Sequence, residues 1–234
     1  MTPKNGARPT KVSEVYERIR DLIVRGRVAP GVRLVEAQIV DRLGVSRTSV
    51  RAALQRLHQE GYVTGVVVGK RTRPVVAPLT GEDARELFSM VAEIEGLAAE
   101  RAAELEAGVR QALVADLTYI NDHYRRAAVA KVQKGDELFA LDTRFHRRYV
   151  DAAAGPRLIA LHDAIKPQIE RYIRIYQTAL HEAIQTSVVE HGAIVAEIAT
   201  GSGRGAQEAV RTNWRNAAKR LRMVIGSRGE AGTW

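Results

Sequence analysis

The 234-residue chain has no cysteine, so disulfides and thiolate chemistry are excluded. Aromatic residues make up only 5% of it, and proline occurs seven times. No stretch approaches the roughly 20 apolar residues of a membrane span. The opening MTPKNGARPT has no apolar run behind its charges, as a secretory signal would require. These absences point to a cytoplasmic protein with no membrane partner. The 45% apolar content is ordinary for a folded chain. Its length suits one large domain or two smaller ones.

Charge is unevenly placed. The net excess is +9. Residues 1–79 hold 15 Lys/Arg against 6 Asp/Glu, and residues 80–234 hold 21 of each. The whole excess therefore sits in the first third, as expected of a phosphate-binding domain.

That third contains RLVEAQIVDRLGVSRTSVRAALQRLHQEG, from Arg33 to Gly61. Val35, Ile39, Val40 and Leu43 give a short helix an apolar face. Gly44 ends it, because glycine adopts the left-handed conformation at little cost. Ser46 suits the N-cap of a second helix. There Val50, Ala53, Leu54 and Leu57 recur at helical spacing, and Arg47, Thr48, Ser49, Arg51, Gln55 and Arg56 share the other face. This is a helix-turn-helix whose second helix presents hydrogen-bond donors of the kind that read a major groove. The alternative is a helical hairpin with a solvated basic face.

An earlier helix is expected over Val12–Arg25, capped near Ser13, followed by a turn at Pro30-Gly31. After Gly61, Tyr62–Thr64 and Val66–Val68, with Gly65 between them, and then Arg73–Val76 are β-prone. They form a hairpin with Gly69-Lys70-Arg71 at its tip. A basic tip of this kind can lie against phosphates or enter a minor groove.

The expected organisation is mainly α. Residues 1–10 form a disordered arm, 11–76 a winged helix-turn-helix, and 77–81 a linker. Residues 82–226 form a six-helix antiparallel bundle, with helices near 82–104, 109–132, 135–152, 156–180, 182–200 and 203–225. Residues 227–234 form a loose tail. Pro167 falls inside the fourth bundle helix and is expected to kink it. Thr80 is positioned to cap the first, with Asp83 at its positive end.

Within the bundle, Asp142 and His146 in LDTRFHRRYV are four residues apart and share a helical face. His191, in VVEHGAIVAEI, comes from another helix. A carboxylate and two imidazoles suit a divalent metal, although inward histidines are more often core residues with a hydrogen-bonded partner. Arg144, Arg171 and Arg174 read as surface charges. His58, His123, His162 and His181 show no partner pattern.

The run PGVRLVEAQIVDRLGVSRTSVRAALQRLHQEGYV resembles the GntR family of bacterial transcriptional regulators. The six-helix remainder resembles the FCD ligand-binding domain of its FadR branch. The likeness spans nearly all of residues 10–225. It implies a homodimer on a palindromic double-stranded operator, controlled by a small-molecule effector, an organic acid among the candidates. It implies DNA contacts at Arg33, Arg47, Thr48, Arg51 and Gly69, to which the residue pattern adds Ser49 and Lys70. It also implies a metal, Zn or Ni, on Asp142, His146 and His191. The family's fourth ligand is a further His, whereas this chain has Asn213, which could bind the metal weakly, hold a water or meet the effector directly; Arg144, Arg171 and Arg174 are the bundle's alternatives for an acidic effector. Ala37, Ala52 and Val91 also depart, standing where relatives often have Arg, Glu and an acid-reading Arg. Two other readings remain: a metal-dependent enzyme with a DNA-binding domain, and an architectural DNA protein without an effector. The enzyme lacks a nucleophile elbow or phosphate loop. The architectural protein leaves a neutral bundle unexplained.

Overall fold

A computed structural model describes residues 11–69, 71–130, 135–180 and 184–232, with the backbone alone for 177–180. The expected arm at 1–10, Lys70 at the hairpin tip and His181 lie outside the described residues. Chain contacts divide the molecule into two units, one up to Leu79 together with the segment from Glu230, the other Thr80–Gly229.

The first unit has helices α1 (Lys11–Val24), α2 (Glu36–Leu43) and α3 (Arg47–Gln59), then strands β1 (Val63–Val68) and β2 (Arg71–Val76). Its core joins Val15, Tyr16, Ile19 and Ile23 of α1 to Val50, Ala53, Leu54 and Leu57 of α3, with Tyr62, Val63 and Val76 from the hairpin. α2 adds only partly buried Ile39, Val40 and Leu43, so its apolar face leans on the core without entering it. Ser13 lies inside the first turn of α1, which starts at Lys11 rather than at a Ser13 cap.

The turn between α2 and α3 follows its sequence signals. Gly44 has φ 63° and returns its N–H to the Val40 carbonyl. Ser46 caps α3 by accepting the Ser49 N–H at 3.1 Å. β1 and β2 are antiparallel, with Val68 opposite Arg71. The chain at 31–34 lies along β2: Leu34 donates to the Pro74 carbonyl and Val76 to the Val32 carbonyl, each at 2.9 Å. Arg33 is thereby placed opposite Val75.

The second unit is helical throughout its described residues: α4 (Gly81–Ala103), α5 (Ala107–Ala128), α6 (Gly135–Ala153), α7 (Pro156–Leu180), α8 (Ile184–Thr200) and α9 (Gly203–Arg228). Thr80, Glu106 and Ser202 cap α4, α5 and α9 by accepting first-turn N–H groups. α9 packs along α4 and α8, α5 against α6 and α8, and α7 against α4. α7 runs through Pro167. The expected loose tail from 227 is not what is found over the described residues. α9 continues through Arg228, and Ala231 then exchanges backbone hydrogen bonds with Leu79 at 2.8 and 3.2 Å. Those bonds satisfy backbone groups beside the fully buried Leu79 side chain.

Candidate functional site

α3 presents an exposed stripe one turn apart at each step: Arg47, Arg51 and Gln55, flanked by exposed Thr48. The cap at Ser46 and the apolar back fix which face is outward. Arg51 is 72% exposed in its side chain, and its Nε meets Glu36 Oε2 at 2.9 Å. Two residues of the expected front are committed elsewhere. Ser49 turns inward, 7% exposed, with its hydroxyl 2.9 Å from that of Ser46. It contributes to the cap and to packing rather than to the exposed face. Arg56 pairs with Glu60 at 2.8 Å and lies 3.7 Å from the centre of the Tyr16 ring. Arg33 and Gly69 are exposed, and Gly69 has φ 62° with open space around it.

Gly65 has a reason the sequence hid. A Cβ there would sit 2.6 Å from the Thr72 methyl across the hairpin.

In the bundle, α6 and α8 bring Asp142, His146 and His191 together, with one ligand atom from each lying within 4.8 Å of the others. His191 is fully buried, and neither of its ring nitrogens has a hydrogen-bond partner. Its Nε2 is 3.6 Å from Asp142 Oδ1, too far for a good hydrogen bond. Phe145 stacks on the ring at 4.0 Å and fixes its plane. Burial, with smaller effects from His146 and Lys166, holds His191 well below its usual basicity, which favours the neutral imidazole. A neutral, buried, unpartnered imidazole beside a carboxylate and a second imidazole fits a divalent ion in donor chemistry and in unmet polar demand.

His146 is held from behind. Its Nδ1 lies 2.7 Å from Glu95 Oε2 and 2.9 Å from the Tyr149 hydroxyl. An Nδ1–H donating to Glu95 leaves Nε2 as the ligating nitrogen. Glu95, on α4, has no solvent exposure. It also accepts from Tyr149 at 2.7 Å, Trp214 Nε1 at 2.8 Å and Lys166 Nζ at 3.3 Å, and its Oε1 lies 3.0 Å from His162 Nε2. Burial alone would raise this carboxyl. The electrostatic effect of Lys166 and then of His146, with hydrogen bonds from His146 and His162, outweighs it and holds Glu95 well below the usual carboxylate range.

A cavity of about 100 Å³ opens beside these groups. Asp142, His146, Asn213 and Arg220 line it, with apolar walls that include Phe88, Phe139 and Trp214. Asn213 is at the site, buried, but its amide donates to Glu190 Oε2 at 2.9 Å. Two expected effector contacts are elsewhere. Arg144 faces solvent, one residue out of phase with the buried face of α6. Arg171 is buried but does not line the cavity. Arg174 lies over the Phe139 ring and near Asp136. Val91, where relatives often have an arginine, is fully buried.

The sequence matches the bacterial regulatory proteins of the gntR family over residues 11–73 and the FCD domain over residues 86–216. The chain belongs to the GntR family and carries an FCD domain. An HTH-type transcriptional regulator from the TAR-I ttuE-ttuC′ intergenic region of Agrobacterium vitis is 32% identical over 62% of this chain and 81% of that one. The gluconate operon transcriptional repressor of Bacillus subtilis is 28% identical over 70% of this chain and 63% of its own. Among solved structures, E. coli McbR/YncC has the same fold, with TM-score 0.69 and 17% identity, covering 91% of this chain and 97% of that one. This GntR-family protein is therefore a DNA-binding transcriptional regulator and not an enzyme.

Sequence reasoning missed two constellations in the regulator: the Glu95 hub and the Arg220–Glu190 pair. A signal for the first was present. Glu95 falls in the stripe Phe88, Val91, Ala92, Ala99 and Ala102, where every other member is apolar and buried. His162 belongs to that hub, although nothing in its own helix marks it.

Proposed function

We propose that this regulator is a homodimeric repressor that reads a palindromic operator in the cytoplasm and is controlled by a small effector bound in the bundle cavity. Arg47, Thr48, Arg51 and Gln55 of α3 read base edges, while Arg33 and the wing at Gly69 and Lys70 hold the backbone. The observation that carries the effector site is His191. It is fully buried, lacks a partner at either nitrogen, and faces Asp142 and His146 beside a cavity. A polar group in that state costs free energy unless something occupies the site.

Asp142, His146 and His191 would hold a divalent ion of the Zn or Ni type, with Asn213 next to them. Such an ion supplies a Lewis-acidic position for an oxygen of the effector. Glu95 keeps His146 in the ligating tautomer, and Phe145 sets the angle of His191. An effector with different affinity for two arrangements of the dimer shifts their populations and so the spacing of the two recognition helices.

Elemental analysis of protein purified without a histidine tag, followed by metal titration, tests the site. Near-stoichiometric Zn or Ni is expected in the parent. His191→Ala should weaken binding at least tenfold, and Asn213→His should tighten it, since imidazole is the better ligand for a borderline ion. Sub-stoichiometric metal together with no gain in Asn213→His would reassign the four residues to direct hydrogen bonding of the effector.

A further inference from the structure

A second recess, a groove of about 320 Å³, runs between α4 and α9. It is larger than the inner cavity and reaches the ~300–1,000 Å³ usual for small-molecule sites. The two helices are antiparallel: Gly96 faces Gln207, Glu93 pairs with Arg211, and Phe88 meets Trp214 edge to face at 5.6 Å. Small side chains, Ala84, Ala92 and Ala218, leave the space between them open. Five cations line the groove, Arg85 from α4 and Arg211, Arg215, Lys219 and Arg222 from α9. Glu93 is the sole carboxylate among the described lining residues. The imbalance is local, because residues 80–234 hold 21 residues of each sign. Two of the cations are committed, Arg211 Nε to Glu93 at 3.1 Å and Arg215 to Glu208 at 3.2 Å. Arg85, Lys219 and Arg222 have no ion pair or side-chain hydrogen bond among the described residues. The acids of the adjoining turn do not answer them: Asp83 accepts from the Tyr172 hydroxyl at 2.6 Å, and neither it nor Glu82 lines the groove. Arg215, Lys219 and Arg222 follow at spacings of 4 and 3, which crowds like charge on one face of α9. An ordinary solvated face carries acids at those spacings.

We infer that this groove is a second ligand site, and that its ligand is a small phosphate ester. The helix register places Arg85 across from Ala218 and Lys219, and Gly81 across from Arg222, so the three unpartnered cations share one end. A phosphate ester brings two negative charges and three acceptor oxygens, enough to engage guanidinium and ammonium groups together. A carboxylate would engage one and leave the others in mutual repulsion. α4 begins at Gly81 in the same end, so its positive terminus adds to the attraction. Beyond the cations the floor is apolar, with Phe88, Ala92 and Trp214, and it receives the organic body. A duplex carries its phosphates on a convex surface, whereas Phe88 and Trp214 are each 2% exposed at the bottom of a recess. A small ester therefore fits better than nucleic acid. The site does not depend on what the inner cavity holds, yet the two share a wall, since Phe88 and Trp214 line both. A ligand in the groove lies beside the Trp214 indole, and the indole reports it.

The chain has two tryptophans, so Trp234→Phe leaves Trp214 as the only one. In that background, full-length protein is titrated with phenyl phosphate, phenyl sulfate and inorganic phosphate by fluorescence and calorimetry. Slightly alkaline pH keeps the phosphate ester a dianion, while the sulfate has the same shape and one charge less. Phenyl phosphate should bind once per chain, shift the Trp214 emission, and bind about tenfold tighter than either of the other two. Arg85→Gln/Lys219→Gln should weaken it about tenfold, and Arg222→Gln should weaken it as well. Arg157→Gln/Arg204→Gln removes two exposed cations of the same unit that do not line the groove, and should change nothing. Every substituted cation is exposed, so these variants keep the packed core. Ala218→Phe fills the groove without altering charge and should abolish binding. Equal losses in the two double variants would mean diffuse charge attraction and overturn the site. Phenyl sulfate or inorganic phosphate binding as tightly as the ester would overturn the ligand class. If Arg85→Gln/Lys219→Gln weakens scrambled duplex DNA as much as the ester, the groove serves nucleic acid and the inference falls. It falls too if phenyl phosphate at millimolar concentration does not bind.

Discussion

A carboxylate without solvent must find its hydrogen bonds inside the protein, and Glu95 finds them on α6, α7 and α9. Its partners include Lys166, itself buried and 4.2 Å from the centre of the Trp214 ring. Removing one member of such a pair strands the other in low dielectric. Glu95→Gln should therefore destabilise the bundle by about 3–5 kcal/mol in urea unfolding. Glu95→Gln combined with Lys166→Met should recover part of that loss, because no charge is left unpaired. A loss below about 1 kcal/mol for Glu95→Gln would mean that the hub carries no net ion-pair character. On α3, if Arg51 reads a base as proposed, Arg51→Ala should cost ~1–3 kcal/mol on a specific site selected in vitro and much less on scrambled DNA. Glu36→Ala, which breaks only the exposed pair with Arg51, should change protein stability by less than about 1 kcal/mol. Gel shifts at several salt concentrations separate a base contact from a phosphate contact, and equal weakening of both DNAs would move Arg51 to the second class.

At the scale of the elements, the wing and α3 illustrate different controls. α3 is fixed by local signals: a serine cap at one end and an apolar face at spacing 3, 4 and 7. The wing is fixed by a cross-strand steric contact. Gly65 sits where any side chain would meet Thr72. Gly65→Ala should cost about 1 kcal/mol, because the displaced methyl must rotate or the strands must part. Thr72→Ser removes that methyl, so the double variant Gly65→Ala/Thr72→Ser should regain most of the loss. Thermal unfolding of the four proteins of this cycle measures the coupling, and simple additivity would mean that the contact is relieved without cost. α9 carries three kinds of group on one helix. Trp214 contacts the hub, Asn213 and Arg220 line the cavity, and its C-terminal end leads directly into the segment that pairs with Leu79.

For the whole molecule, the charge division follows the division into units. The excess of positive charge sits on the winged-helix portion, where phosphate contacts give salt-dependent affinity. The bundle is neutral and contains no described helix long and apolar enough to cross a membrane. One winged helix reads only a half-site, so tight binding calls for two. Light scattering should give about 52 kDa, twice the 25.8 kDa chain, in solution, and one dimer per palindrome on DNA. A 26 kDa particle at micromolar concentration, with and without DNA, would rule out the dimer.

The sequence by itself determined the elements and the nature of the first unit. Helix periodicity, Gly44, Ser46 and Thr80 are local signals, and each acts within a few residues of where it is written. The pairing of Asp142 with His146 was legible for the same reason, because one helical turn relates them. What joins residues across the bundle was decided by tertiary packing alone. No sequence spacing relates Glu95 to His146, His162, Lys166 and Trp214, or Glu190 to Arg220, because those distances are set by how α4, α6, α7, α8 and α9 lie against one another. The direction of Ser49 and Arg144 was lost at a finer level. A rotation of a fraction of a helical turn separates a lining residue from an exposed one, and only the packed core fixes that rotation.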